Sequence, residues 1–307
     1  MLELHDEEER TAAWAGRFYF QGEVEKVRAT AERCFGSESA DIRLSVRWLD
    51  AMASIAAGDI ERFRGDFAEI VREGKSAEDE TVRVESEYIQ RVSSIYFHEK
   101  GVDIAEILPR LHCLPEPARY FAMYASSHAL YLLKEYQRAI GEVQAALALM
   151  PASFPVVSIY LNIVGAMASN SLAHKAEAQK FFDRAWEIAL PEGYLEPFAE
   201  HHGLLQGLVE RKVRTREPEV YRRISDMVYR FSRGWMKIHN PKSAMKVTDS
   251  LTPYEFSIAM LASKGRTNKE IADYMSISVN AVKGHLSNIF QKIGISNRSE
   301  LKYYVNH

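Results

Sequence analysis

The chain of 307 residues is long enough for two domains, and an apolar fraction of 47% excludes a wholly disordered one. Its two cysteines, Cys34 and Cys113, form no C-x-x-C pair and no disulfide framework, which fits a reducing compartment. No run approaches about 18 uninterrupted apolar residues, so no membrane span is expected. The acidic start MLELHDEEER lacks the pattern of a signal peptide. These features together predict a cytoplasmic protein. The formal net charge of −3 hides a split, because residues 1–209 hold 21 Lys and Arg against 33 Asp and Glu, whereas residues 210–307 hold 18 against 9. An acidic front and a basic back suit a solvated interaction array joined to a nucleic-acid-binding end.

From the N-terminus the pattern is one of paired amphipathic helices. Gly22-Glu23-Val24 separates Thr11–Phe20 from Val24–Phe35, and Gly58-Asp59-Ile60 separates Asp41–Ala57 from Ile60–Arg72. A small-acidic-apolar turn recurring between helix pairs predicts a helical-hairpin solenoid. Glu78–Leu114 is a weaker copy. Tyr120–Pro151 carries Tyr136, Ala139, Ala146 and Pro151 at tetratricopeptide-like spacing, and Pro155–Leu190 places Ala178, Phe182 and Ala185 likewise. Small residues at these positions let helix backbones approach closely, and a proline stops the second helix. About five hairpins are expected between Glu7 and Leu190. Tyr120, Phe121, Tyr124, Tyr131 and Tyr136 are expected mainly as inter-helix core, with a concave ligand groove as the alternative.

A bridge follows over residues 209–250. Tyr221, Ile224, Val228, Phe231 and Trp235 mark one face of a helix, Asn240-Pro241 breaks it, and Lys242–Ser250 reads as a polar linker and hinge. Three helix starts punctuate the end of the chain. Thr252-Pro253-Tyr254-Glu255, Thr267-Asn268-Lys269-Glu270 and Asn297-Arg298-Ser299-Glu300 each pair a capping side chain with Glu three residues later. Ser278 is a fourth cap, and Gly265 and Gly294 are helix stops. Ile258, Leu261 and Ala262, then Ile271, Ala272 and Met275, then Val282, Leu286, Ile289, Phe290 and Ile293, give three apolar faces around one small core. The opposite face of the third helix carries Asn280, Lys283, Gly284, Ser287 and Asn288, which are small and polar enough to enter a major groove.

Leu251-Thr252-Pro253-x-Glu255, Gly265-x-Thr267-Asn268-Lys269-Glu270-Ile271-Ala272, Val282-Lys283-x-His285-Leu286-Ser287-Asn288-Ile289, Lys292-Ile293-Gly294 and Asn297-Arg298 resemble the LuxR-type helix-turn-helix over about 55 residues. Two positions depart from its usual pattern: Tyr254 stands where Arg is usual, and Ala281 where Thr is usual. The stretch AWEIALPEGYLEPFAEHHGLLQGL, Ala185–Leu208, resembles the end of the helical-repeat region of MalT-type regulators. Those regulators carry a nucleotide-binding domain, for which the motif is absent here. Gly74-Lys75-Ser76 matches only the end of a phosphate-binding loop, with Glu69 at the position of its first glycine.

The expectation is an all-α protein: a tetratricopeptide-like helical-hairpin solenoid over 1–208, a connecting helix and linker over 209–250, and a four-helix LuxR-type helix-turn-helix domain over 251–307. The resemblance implies a transcriptional regulator whose partner is double-stranded DNA, bound as a homodimer, with a small-molecule or protein effector at the array. Asn268, Lys269, Ser278, Asn280, Lys283, His285, Ser287, Asn288 and Lys292 are the expected DNA-binding residues. The fourth helix, Arg298–Asn306, is expected to expose Leu301, Tyr304 and Val305 as a dimer face. No catalytic constellation, metal site or cofactor is expected. The alternatives are a repeat scaffold with a vestigial helix-turn-helix and the C-terminal part of a larger ATP-dependent regulator.

Overall fold

A helix that ends must satisfy its last carbonyls, and the hairpin turns of this chain do so in one repeated way. The computed structural model describes residues 7–97, 106, 108–150, 154–239, 251–275 and 277–302. Helices α1 (Glu7–Phe20) and α2 (Val24–Ala31) are joined through Gly22, and α3 (Ala40–Ala57) and α4 (Ile60–Ser76) through Gly58. α6 (Glu116–Leu132) and α7 (Tyr136–Leu149) are joined through Lys134, and α8 (Pro155–Ser171) and α9 (Lys175–Glu192) through Ala173. All four junction residues are left-handed, with φ of 73°, 72°, 65° and 63°. In each the junction amide donates to the carbonyl three residues back, and the next amide donates to the carbonyl five residues before itself. Glu23 N–H thus reaches Phe18 O, Asp59 reaches Ser54, Glu135 reaches Leu130 and His174 reaches Ser169. The first two junctions were visible as glycines. The last two carry side chains at a position that disfavours them, so their sequence hides the shared turn.

The third copy differs. α5 (Glu80–Tyr96) is an α-helix started by the Asp79 side chain, but the described part of its partner is a 3₁₀ turn, Leu108–Cys113. Among the described residues there is no strand, and none of their helices is long and apolar enough to cross a membrane.

The chain forms two compact units, one of residues up to Leu195 and the other from Glu196 onward, with Ile55–Gly58 grouped with the second. In the first unit, Ala139, Ala146, Ala178, Phe182 and Ala185 are buried at the helix contacts. α8 lies so close to α9 that a Cβ on Gly165 would sit 2.8 Å from the Phe181 ring. Its two ends meet. Gln21 Nε2 donates to Glu192 O at 2.9 Å, Arg17 pairs with the Glu192 carboxylate at 3.0 Å, and Phe20 stacks edge-on against Tyr160 and Tyr194. Phe121 and Tyr124 pack on Tyr160, and Tyr131 on Tyr136, so these aromatics serve as inter-helix core.

Arginines tie the first two hairpins together, Arg28 to Asp59 at 3.1 Å and Arg62 to Glu32 at 2.7 Å, and pair the two helices of the second, Arg62 to Asp50 at 2.7 Å and Arg47 to Asp66 at 3.1 Å. Burial and the neighbouring Asp50 push the Asp66 carboxyl up to about 7. Glu85 on α5 is buried beside Asp41 and Glu73. Burial first, then those two carboxyls, push it up to about 9.

In the second unit, α10 (Glu196–Glu200) packs on α12 (Pro218–His239) and α11 (Leu208–Val213) lies between α12 and the C-terminal helices. Residues 196–208, read from the sequence as the end of the array, pack here. Ile224, Val228 and Phe231 form the buried stripe of α12. The side chain of Trp235, the Asn240-Pro241 break and the Lys242–Ser250 linker lie outside the described residues.

Two outcomes follow from these contacts. Ala173→Gly relieves a left-handed alanine and is expected to stabilise the first unit by about 1 kcal/mol, read from a denaturant midpoint. Glu85 binds its proton more tightly folded than unfolded. Its favourable contribution is therefore complete below the unfolded value near 4.5 and is lost as pH rises towards about 9. Glu85→Gln is expected to flatten the fall in melting temperature across that window, measured by thermal scans at stepped pH.

Candidate nucleic-acid interface

Three short helices make the C-terminal core: α13 (Pro253–Ser263), α14 (Asn268–Met275) and α15 (Val279–Ile293). Their starts are the expected caps. Thr252 Oγ1 accepts from Glu255 N at 3.2 Å while Glu255 Oε2 accepts from Thr252 N at 2.8 Å. Thr267 and Glu270 repeat the exchange at 3.2 and 2.7 Å, and Ser278 Oγ accepts from Ala281 N at 3.1 Å. Gly265 and Gly294 close α13 and α15 in the left-handed conformation. Ile258, Leu261, Ile271, Met275, Val282, Leu286, Ile289 and Ile293 are buried, as their spacing requires.

Two polar contacts lock this core. Glu255 is buried, and Lys292 on α15 reaches its two oxygens at 2.8 and 2.7 Å. Burial alone would raise the Glu255 carboxyl. Lys292 and the Thr252 donors outweigh it and hold the group below the usual carboxylate range. Arg298 lies across the end of α13, donating to Ala262 O at 3.2 Å, to Arg266 O, and to Asn268 Oδ1 at 2.9 Å. Its guanidinium thus ties the end of α13 to the turn and cap that lead into α14. The sequence showed Arg298 as part of a capping motif and of the LuxR-type resemblance, without this anchoring contact.

A third contact ties α13 to the segment before it. His202 Nδ1 and Ser257 Oγ are 2.9 Å apart, and His202 Nε2 lies 3.0 Å from Glu210 Oε1, all three side chains being buried. This His-Ser-Glu arrangement is sealed inside the fold, so it orders packing and offers no surface to a substrate.

The expected contact residues divide into two groups. Asn280, Lys283, Ser287 and Asn288 share the exposed face of α15, and Lys269 is exposed at the start of α14. Ser278 is exposed but acts as the cap. Asn268 and His285 are half-buried, Asn268 held by Arg298 and His285 edge-on to Tyr254 at 5.3 Å between ring centroids. Lys292 is engaged by Glu255. Leu301 corrects the expected dimer face, because it lies in a 3₁₀ turn, Arg298–Leu301, and is 0% exposed. The anchoring of Arg298 on α13 fixes that turn with Leu301 in the core. Tyr304 and Val305 lie outside the described residues.

Gly284 stands in the middle of the exposed face. A Cβ built there meets no heavy atom within 4 Å, so nothing among the described residues requires glycine. Glycine in a helix interior costs about 0.5–1 kcal/mol relative to alanine. Its use here suits a surface that another molecule approaches closely.

Residues 249–305 match the family described as bacterial regulatory proteins, luxR family, and so constitute a LuxR-family domain. The chain is similar to the transcriptional regulatory protein LiaR of Bacillus subtilis (strain 168), 38% identical over 58 residues, covering 19% of this chain and 28% of that protein. It is also similar to the response regulator protein VraR of Staphylococcus aureus (strain Mu3 / ATCC 700698), 33% identical over 90 residues, covering 26% of this chain and 43% of that one. The matches thus span less than half the length of either relative. No solved structure gives a significant match.

Gly284→Ala is expected to raise the stability of the C-terminal domain by about 0.5–1 kcal/mol, read as a shift of its unfolding midpoint in urea. Unchanged or lower stability would mean that the glycine answers a need within the chain.

Proposed function

We propose that the chain is a DNA-binding transcriptional regulator that places α15 in the major groove of double-stranded DNA. The observation that carries this reading is the exposed face Asn280, Lys283, Gly284, Ser287 and Asn288. It belongs to a helix whose opposite side is core and whose start is capped by Ser278. Amide and hydroxyl side chains with one amine can bond base edges, while Lys283 adds a charge for guanine or phosphate. Lys269, at the amide-rich start of α14, suits a phosphate. The names of LiaR and VraR, a transcriptional regulatory protein and a response regulator, support the same reading.

In this proposal the array expected over 1–208 ends at Leu195, since residues 196–208 pack in the second unit; residues 1–195 sense, 196–250 connect, and 251–307 bind DNA. The array takes a small molecule or a protein and biases whether the C-terminal domain can dock, which requires the effector to favour one arrangement. The regulator acts in the cytoplasm and binds as a homodimer, because one small domain contacts too few base pairs for useful specificity.

Lys283→Ala in the full chain is the direct test. It is expected to lose about 1–3 kcal/mol of binding to a DNA site selected from genomic fragments, measured by fluorescence anisotropy. A scaffold in which the helix-turn-helix is vestigial would show no salt-dependent binding and no difference between the two proteins.

A further inference from the structure

Phosphate contacts dominate the affinity of most DNA-binding proteins, and six to ten of them is a common order of magnitude. The helix-turn-helix of this chain is poorly supplied. Residues 251–307 hold 7 Lys and Arg against 4 Asp and Glu. Three of those cations have intramolecular tasks: Lys292 holds Glu255, Arg298 covers carbonyls, and Arg266 lies over Tyr274 and near Glu270. By contrast residues 211–237 hold 9 Lys and Arg against 3 Asp and Glu, and lie outside the family match.

One of these cations is placed beside the recognition helix. Arg214 follows α11 and is exposed. Its guanidinium lies over the Tyr254 ring, 5.1 Å from the centroid, with Nη1 3.4 Å from the Tyr254 hydroxyl. The same ring meets His285 of α15 edge-on at 5.3 Å. Arg214, Tyr254 and His285 therefore form a stack that runs from the bridge to the recognition helix. A guanidinium set on an aromatic face keeps its outer donors directed away from the ring, and its planar fork suits a phosphate.

We propose that the DNA interface extends beyond the helix-turn-helix to Arg214, which contacts a backbone phosphate beside the groove that α15 enters. The proposal rests on the DNA-binding reading above. The competing task for Arg214 is internal, since its charge also helps to hold the buried Glu210 carboxyl in its ionised form, beside His202. A purely internal role predicts no change in DNA binding that depends on salt.

The test uses the full chain and a mixed-sequence DNA duplex of defined length, titrated by anisotropy between 50 and 200 mM KCl. Arg214→Gln is expected to lower the log–log salt slope by about 0.9, so that its deficit against the wild type changes about three- to fourfold across that range. Arg138→Gln on α7 removes one charge elsewhere and is expected to leave the slope unchanged. Arg214→Lys keeps the charge and is expected to retain the slope, which also guards against a variant that merely folds poorly. If Arg214→Gln behaves like Arg138→Gln while Lys283→Ala still weakens binding, the proposal is overturned and the DNA-binding reading survives. If the wild type shows no salt-dependent binding, both fall together.

Discussion

Each helix leaves about four amides and four carbonyls without partners at its ends, and a chain built of short helices meets that demand at every junction. The two units share one answer for helix ends and both add side-chain caps at helix starts. A left-handed residue lets two successive amides reach back to the ended helix at four hairpin junctions, after α9 at Gly193 and after α13 at Gly265. Side chains cap the starts: Asp59 and Asp79 in the array, and in the C-terminal domain Thr252 with Glu255, Thr267 with Glu270, Ser278, and Asn297 with Glu300.

The caps of the C-terminal domain also shape the interface. Glu255 is both the cap partner of Thr252 and the anion that Lys292 neutralises, so one carboxylate fixes the start of α13 and its contact with α15. Arg298 does the corresponding work at the other end of α13. These contacts are made within the core, and among the described residues the outer face of α15 is left exposed. Its residues are small, polar and uncharged except for Lys283. Positive charge is denser before α13, with 9 Lys and Arg against 3 Asp and Glu over residues 211–237, than over residues 251–307, with 7 against 4.

The interior of the array follows from its closure. Contacts of Gln21 and Arg17 with Glu192 bring the first hairpin against the end of the last, and Phe20 then packs on Tyr160 and Tyr194. Aromatics that an open solenoid could offer to a ligand become packing between helices. Period and pattern cannot signal this closure, because the rotation accumulated over several hairpins decides whether the ends meet.

The sequence by itself determined the helices, their caps, the core faces of the C-terminal domain and the polar face of α15. All of these are local: they depend on spacings of three or four residues and on side chains bonding to nearby backbone. Tertiary structure decided which charged and apolar groups remain available. Lys292 reads as an exposed cation until Glu255, 37 residues away, takes it up. Leu301 reads as a pairing residue until Arg298 anchors its turn on α13, and Lys134 and Ala173 do not read as left-handed turns at all. The buried His202–Ser257 contact joins residues 55 positions apart, and Arg214 reaches Tyr254 across 40. Contacts at such separations depend on how helices pack, and no local spacing encodes them.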